Sequence, residues 1–195
     1  MSERTATLER NTNETSITVR LALDAAGPCS ISTGLPFLDH MIHALAKHAR
    51  WELSLSCKGD LEVDDHHSVE DCGLAVGGAL DKALGDRAGI ARFGHAYAPL
   101  DEALARSVVD LSGRPCAAVD LGLRRESIGA LSCENIPHFL SSFAVAARAT
   151  LHVDVLKGCN DHHRAEAAFK SLALALRQAV ALTGAPSIPS TKGVL

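Results

Sequence analysis

The stretches DHHSVE at 65–70 and DHHRAE at 161–166 carry one framework, DHHxxE, displaced by 161 − 65 = 96 residues. Their surroundings repeat as well. Phe37-Leu38 and Phe139-Leu140 are displaced by 139 − 37 = 102, so the halves differ mainly by a loop about six residues longer in the first (102 − 96 = 6). In the first half TSITVRLAL alternates Ile17, Val19, Leu21 and Leu23 on one face, which predicts a strand with one buried side. GLPFLDHMIHALAKHA places Leu38, Met41, Ile42, Leu45 and Ala49 at helical spacing behind Pro36, a residue suited to a first turn. WELSLSCKG alternates again, GDLEVD turns, and a helical pattern runs from about His66 to Leu84 before Gly85. The second half repeats the order. ALARSVVDLS and PCAAVDLGL read as strands joined by the turn SGRP, followed by a helix near Pro137 to Ala147, the strand TLHVDVLKG and a helix from about His162 to Leu182.

One strand-helix-strand-helix unit buries little by itself, so the duplication predicts an α/β (α+β) fold in which two similar halves pack their sheets on a shared helical layer. The expected arrangement is a single compact domain, 1–195, with halves at about 1–92 and 93–184 and an extended tail at 185–195. A chain of 195 residues suits one such core. With 47% hydrophobic residues, 22% charged and a net charge of −4, it carries no electrostatic footprint for nucleic acid or acidic membranes. MSERTATLER lacks the apolar core of a secretory signal, and no run approaches the roughly 18 apolar residues of a membrane span, so a cytoplasmic location is expected. Six cysteines without a CxxC pair read as reduced and mostly buried. Ten histidines against seven aromatics demand a reason.

The doubled motif supplies it. Asp65 and Asp161 stand where helix caps belong, with a second role available in orienting an adjacent imidazole. Residues four apart share a helix face, so His66 with Glu70, and His162 with Glu166, can grip one ion each. His67 and His163 point about 100° away and would serve a different ion. Pseudosymmetry then assigns His66, Glu70, His163 and His138 to one metal, and His162, Glu166, His67 and His40 to the other. Three imidazoles and a carboxylate leave room on an octahedral ion and favour Mn, Fe, Co, Ni or Zn over a thiolate-type structural zinc site. His43, His95 and His152 read as surface residues, and His48, two turns past His40, is placed to reach the pocket.

The chain closely resembles the imidazoleglycerol-phosphate dehydratases through RNTNET at 10–15, LPFLDHM at 35–41, DDHHSVED at 64–71, GIARFG at 89–94, PLDEALA at 99–105, DLSGRP at 110–115, HFLSSF at 138–143, NDHHRAEAAFKSLALALRQA at 160–179 and STKG at 190–193. The resemblance implies a lyase of histidine biosynthesis that converts imidazole-glycerol phosphate to imidazole-acetol phosphate and water. It also implies two Mn2+ per subunit on the eight ligands above, and trimers building a 24-subunit shell with sites completed across subunit contacts. Arg92, Arg114, Ser190, Thr191 and Lys192 would hold the substrate's phosphate, and Glu14 would contact the substrate. Arginine's planar fork suits phosphate oxygens, and Lys192 adds a point charge.

Such a dehydration removes a carbon-bound proton that no carbonyl acidifies, so the electrons must pass through the imidazole ring. Divalent cations on the ring nitrogens would serve this, with Glu14, Glu70 and Glu166 as candidates for proton transfer. Two departures stand out: Ala44 where many members have Gln, and Leu131-Ser132-Cys133 in a loop, 129–134, that differs from relatives. Two rival readings remain at this level. One is a metal-storage or metal-stabilised protein, which would not need phosphate anchors. The other is a two-metal hydrolase, which usually needs a carboxylate bridging ions about 3.5–4 Å apart.

Overall fold

The computed structural model describes residues 4–185, 187–193 and 195, so positions 186 and 194 of the expected tail, and 1–3 of the opening stretch, lie outside the described residues. Fourteen elements form, ten strands and four helices among the described residues. The first half contributes β1 (Thr5–Asn11), β2 (Thr15–Ala22), β3 (Cys29–Ser32), α1 (Pro36–Ala49), β4 (Glu52–Gly59) and α2 (His66–Leu84). The second contributes β5 (Phe93–Leu100), β6 (Ala103–Asp110), β7 (Cys116–Asp120), the short pair β8 (Ser127–Ile128) and β9 (Leu131–Ser132), then α3 (Asn135–Ala146), β10 (Thr150–Lys157) and α4 (Asp161–Ala179).

The two main sheets have the same plan. β1-β2-β4-β3 and β5-β6-β10-β7 each combine an antiparallel core with one parallel pair, β3 with β4 and β7 with β10. Alternation explains why. Along β2, Ile17, Val19 and Leu21 are buried while Ser16, Thr18 and Arg20 are exposed, so one face alone can meet the helices. β1, β3 and β5 add strands to the plain strand-helix-strand-helix reading. They are edge strands whose inward positions carry few large apolar residues: β5 alternates strictly in burial, but its inward face is Gly94, Ala96 and Ala98 while Phe93 and Tyr97 are exposed.

The helices fill the space between the sheets. α2 packs on β1 and β2, α1 on β3, α4 on β5 and β6, and α3 on β7; within the layer α2 pairs with α3 and α1 with α4. Each helix pair therefore joins one half to the other. The α2–α3 approach depends on glycine, since a Cβ on Gly73 would stand 2.7 Å from the carbonyl oxygen of Phe139 and 3.0 Å from Ser142 Cβ. Across this interface Arg87, buried, donates to the carbonyls of Ala147 and Arg148 at the end of α3 and pairs with Asp81 of α2. All six cysteines are free. Cys57, Cys72 and Cys133 are buried and Cys29 is half-buried, but Cys116 and Cys159 are exposed, the first on an edge strand and the second in the β10–α4 turn.

Candidate metal and phosphate site

The cross-half helix pairs set the geometry. α2 supplies His66 and Glu70 to His138 of α3, and α4 supplies His162 and Glu166 to His40 of α1; within each trio the donor atoms lie within 4.8 Å of one another. In the first trio the His66 and His138 Nε2 atoms stand 3.7 and 3.9 Å from Glu70 Oε2, and the two rings stack with centroids 4.8 Å apart. Those separations exceed hydrogen-bond length. Donors bound to one ion at about 2.1 Å lie at most about 4.2 Å apart, so a single cation between them fits. His138 Nε2 is buried without a hydrogen-bond partner, an orphan that a metal ion would satisfy.

The second trio is tighter. Glu166 Oε2 lies 3.1 Å from His40 Nε2 and 3.3 Å from His162 Nε2, while Lys170 Nζ holds Oε1 at 2.7 Å. Burial opposes ionisation of Glu166, yet the Lys170 and His40 contacts outweigh it and hold the carboxyl down to about 2. Asp39 pins the start of α1 by accepting from the Thr33 backbone N–H (2.8 Å) and hydroxyl (2.6 Å), which fixes the turn that carries His40. His48 lies farther along α1, half-buried; burial and the charge of Lys170 lower its pKa, so the neutral ring is favoured.

His67 and His163 do not join either trio within the chain. Each faces carboxylates on the opposite side: His67 meets Asp60 and Glu14, and His163 meets Glu102 and Asp101. The Asp60 and Glu102 contacts raise the two imidazole pKa values, and the His163 contact, together with the Asn160 and Cys159 backbone N–H groups that donate to Glu102, holds the Glu102 carboxyl far below the usual range.

Asp65 and Asp161 do not act as caps. The His66 and His162 backbone N–H groups donate one residue earlier, to Asp64 (2.8 Å) and Asn160 (3.0 Å). Asp65 instead accepts from the Ser132 N–H and hydroxyl and from Asn135 Nδ2, and Asn135 Oδ1 stands 3.3 Å from His66 Nδ1. The orienting role for Asp65 is thus relayed through Asn135. Asp161 accepts from the backbone N–H groups of Arg124 and Arg125. In both cases an inward-facing carboxylate meets a loop that crosses the helix start, and that contact excludes the local cap.

The anion-binding candidates gather elsewhere. Arg92, in a left-handed backbone conformation (φ 70°), forks onto Asp110 at 2.7 and 3.1 Å and donates to the Pro189 carbonyl at 2.8 Å. Arg114 stands 3.9 Å from the same Asp110 and is largely exposed. The tail runs past both, its Leu195 against Gly113, so Ser190, Thr191 and Lys192 are carried to the same region. Glu14 lies apart from them, in the β1–β2 turn, which is anchored through Arg10 (2.7 Å) and Thr15 (2.5 Å) to the buried Asp71 of α2.

Comparison with known proteins places this arrangement. The family described as imidazoleglycerol-phosphate dehydratase matches residues 33–176. The imidazoleglycerol-phosphate dehydratase of Schizosaccharomyces pombe is 57% identical, covering 98% of this chain and 100% of its own, and that of Saccharomyces cerevisiae is 53% identical with both chains covered fully. The chain belongs to the imidazoleglycerol-phosphate dehydratase family. The crystal structure of the Staphylococcus aureus dehydratase superposes with a TM-score of 0.83 at 34% identity, covering 92% of this chain and 99% of its own. That of Pyrococcus furiosus, in complex with (S)-C348, gives 0.84 at 36%, covering 96% and 100%.

Within this dehydratase family the two departures acquire a structural setting. Ala44 is buried on α1. Leu131 and Cys133 are core residues, and Ser132 is the partner of Asp65, so that loop supports the start of α2. Asp60, Glu102, Asn135 and Lys170 were not among the candidate residues from sequence. Glu102 and Asn135 meet partners distant in the chain, Asp60 meets His67 across the β4–α2 turn, and only Lys170, four residues after Glu166, had a signal at helical spacing.

Proposed function

We propose that the protein is a hydro-lyase of histidine biosynthesis that turns imidazole-glycerol phosphate into imidazole-acetol phosphate and water, using two divalent cations, Mn2+ first among them. The observation that carries this reading is the pairing of two similar donor trios, one holding the orphaned His138 Nε2, with a separate arginine and tail cluster in a chain of this family. One cation would take His66, Glu70 and His138, the other His40, His162 and Glu166. His67 and His163 face away from both trios of their own chain, and each would complete a site of another copy. Sites shared between copies suit the shell of 24 subunits built from trimers that the family resemblance implies, and the net charge of −4 gives no footprint for nucleic acid or an acidic membrane. No helix among the described residues is long and apolar enough to cross a membrane, and a cytoplasmic location is consistent with that.

When bound, the cations supply Lewis acidity to the substrate's imidazole nitrogens. The chain's own groups do the rest. Arg114 presents its exposed planar donor fork to the phosphate. Arg92, whose fork is held by Asp110 and whose Nη1 donates to the Pro189 carbonyl, adds positive charge and seats the tail, from which the Ser190 and Thr191 hydroxyls and the Lys192 ammonium close on the phosphate. Glu14, held on its hairpin by the Arg10–Asp71–Thr15 network, contacts the substrate chain and is placed to carry a proton. Glu70, whose side chain makes no hydrogen bond among the described residues, and Glu166 are the other carboxylates that can exchange protons there. Neutral His48 adds a hydrogen-bonding group to the substrate pocket. Metal storage would not require the phosphate cluster, and the only histidines each carboxylate meets among the described residues are those of its own trio, unlike a bridging hydrolase ligand.

The direct test is turnover of imidazole-glycerol phosphate by the purified protein after chelation and after adding back Mn2+. Product that returns only with the metal is expected; absence of metal-dependent product refutes the reading. Lys192→Ala should raise KM while metal content stays at the wild-type level, and loss of metal would show that the tail is misassigned.

A further inference from the structure

His67 and His163 are gripped in the same way. Nδ1 of His67 lies 3.0 Å from Asp60 Oδ2, and Nδ1 of His163 lies 2.7 Å from Glu102 Oε2. An ionised carboxylate only accepts, so each imidazole donates through Nδ1–H and the neutral ring keeps its lone pair on Nε2.

The two carboxylates do not correspond under the duplication. Asp60 directly follows β4, and the residue directly following β10 is Gly158. Glu102 sits in the β5–β6 turn, whose counterpart is the β1–β2 turn; the carboxylate there, Glu14, stands near Nε2 of His67 at 3.7 Å rather than near Nδ1. Two unrelated positions thus reach the same atom of two related histidines. A leftover of duplication would have used equivalent positions.

The anchoring differs usefully as well. Glu102 Oε1 also accepts from the backbone N–H groups of Cys159 (3.0 Å) and Asn160 (2.9 Å), so its carboxylate is fixed on the turn that opens α4. Asp60 makes no side-chain hydrogen bond besides that to His67 among the described residues, and its other oxygen is buried without a partner.

We infer that Asp60 and Glu102 are positioning residues that hold His67 and His163 as Nδ1–H tautomers and present Nε2 to a divalent cation. This rests on the reading of His67 and His163 as metal ligands. Outer partners of ligating histidines typically change metal affinity by about 10–100-fold.

The test measures Mn2+ affinity of the purified full-length protein by competition with a chromophoric chelator, together with Mn2+ stoichiometry and Tm. Asp60→Ala and Glu102→Ala should each weaken Mn2+ binding by about 10–100-fold, while KM for substrate at saturating Mn2+ stays near wild type. Asp60→Asn and Glu102→Gln keep an acceptor oxygen and should recover most of that loss. Glu102→Ala should also lower Tm, because two backbone amides lose their acceptor, whereas Asp60→Ala should leave Tm nearly unchanged and so isolates the effect on the ring. If His67→Ala loses Mn2+ but Asp60→Ala and Glu102→Ala bind it as wild type does, the positioning role is overturned. If His67→Ala keeps full stoichiometry and affinity, the ligand reading itself fails and takes this inference with it.

Discussion

Gly73 and Gly78 lie on the same helix and predict opposite outcomes when changed to alanine. A Cβ at Gly73 would stand 2.7 Å from the Phe139 carbonyl oxygen and 3.0 Å from Ser142 Cβ, both on α3, and ordinary contact begins at 3.4 Å; the helices must therefore part locally by about 3.4 − 2.7 = 0.7 Å. Overpacking of this kind costs about 1–3 kcal/mol, and alanine's better helix propensity returns about 1 kcal/mol. The net loss of up to about 2 kcal/mol lowers Tm by up to roughly 8 °C in a domain of this size. Gly73 is one turn past Glu70, and Phe139 follows His138, so the same displacement separates ligands on α2 and α3. Metal sites accept only about ±0.2 Å in their ligand distances, and Mn2+ affinity should fall on the order of tenfold. At Gly78 the nearest atom to an added Cβ is Leu8 Cδ1 at 3.0 Å, the end of a flexible side chain. Gly78→Ala should therefore be neutral or stabilising by up to about 1 kcal/mol, with Mn2+ binding unchanged. Thermal melts and chelator competition on both variants decide it. Gly73→Ala melting at or above wild type with undiminished Mn2+ affinity would refute the close-packing argument.

Three further expectations follow from other contacts. Glu166 is held at about 2 against an ordinary 4.5, so its contribution to stability is complete above pH 4.5 and is lost as pH falls toward 2. In chelator, Lys170→Met should flatten Tm against pH across that window; an unchanged profile would exclude Lys170 as the cause. Arg87→Met leaves Asp81 and two α3 carbonyls without their donor and should destabilise by about 3 kcal/mol, the usual cost of breaking a buried charged pair, as read by urea unfolding. Asp71→Ala frees the hairpin that carries Glu14, so turnover should fall more than tenfold at unchanged Mn2+ stoichiometry, whereas loss of metal would place Asp71 in the metal site instead.

The family resemblance and the periodicity of the chain carried most of the architecture. α2 begins at His66 and ends at Leu84 as its helical pattern indicated, and the inward face of β2 is the alternating set Ile17, Val19 and Leu21. β1 and β5 were harder to read because small residues stand at their buried positions, Ala6 in β1 and Gly94, Ala96 and Ala98 in β5, while the large Phe93 and Tyr97 face outward. Asp65 and Asp161 misled locally. Their position signals a cap, and only the arrival of Ser132, Asn135 and the 124–125 backbone redirected them.

By itself the sequence determined that there are two halves, that each carries one DHHxxE grip, and that His66 shares a helix face with Glu70 while His67 does not. The first two follow from a motif repeated 161 − 65 = 96 residues apart, and the last from helical periodicity, which depends on residues a few positions apart. The tertiary structure decided that α2 meets α3 and α1 meets α4, the packing that sets His138 beside His66 and Glu70 and His40 beside His162 and Glu166, and that leaves His67 and His163 outside both trios. It also decided that Asp60 and Glu102, from unrelated positions, converge on Nδ1 of the two outward histidines. Such contacts arise from how the layers pack, and packing joins residues whose separation along the chain carries no periodic signal.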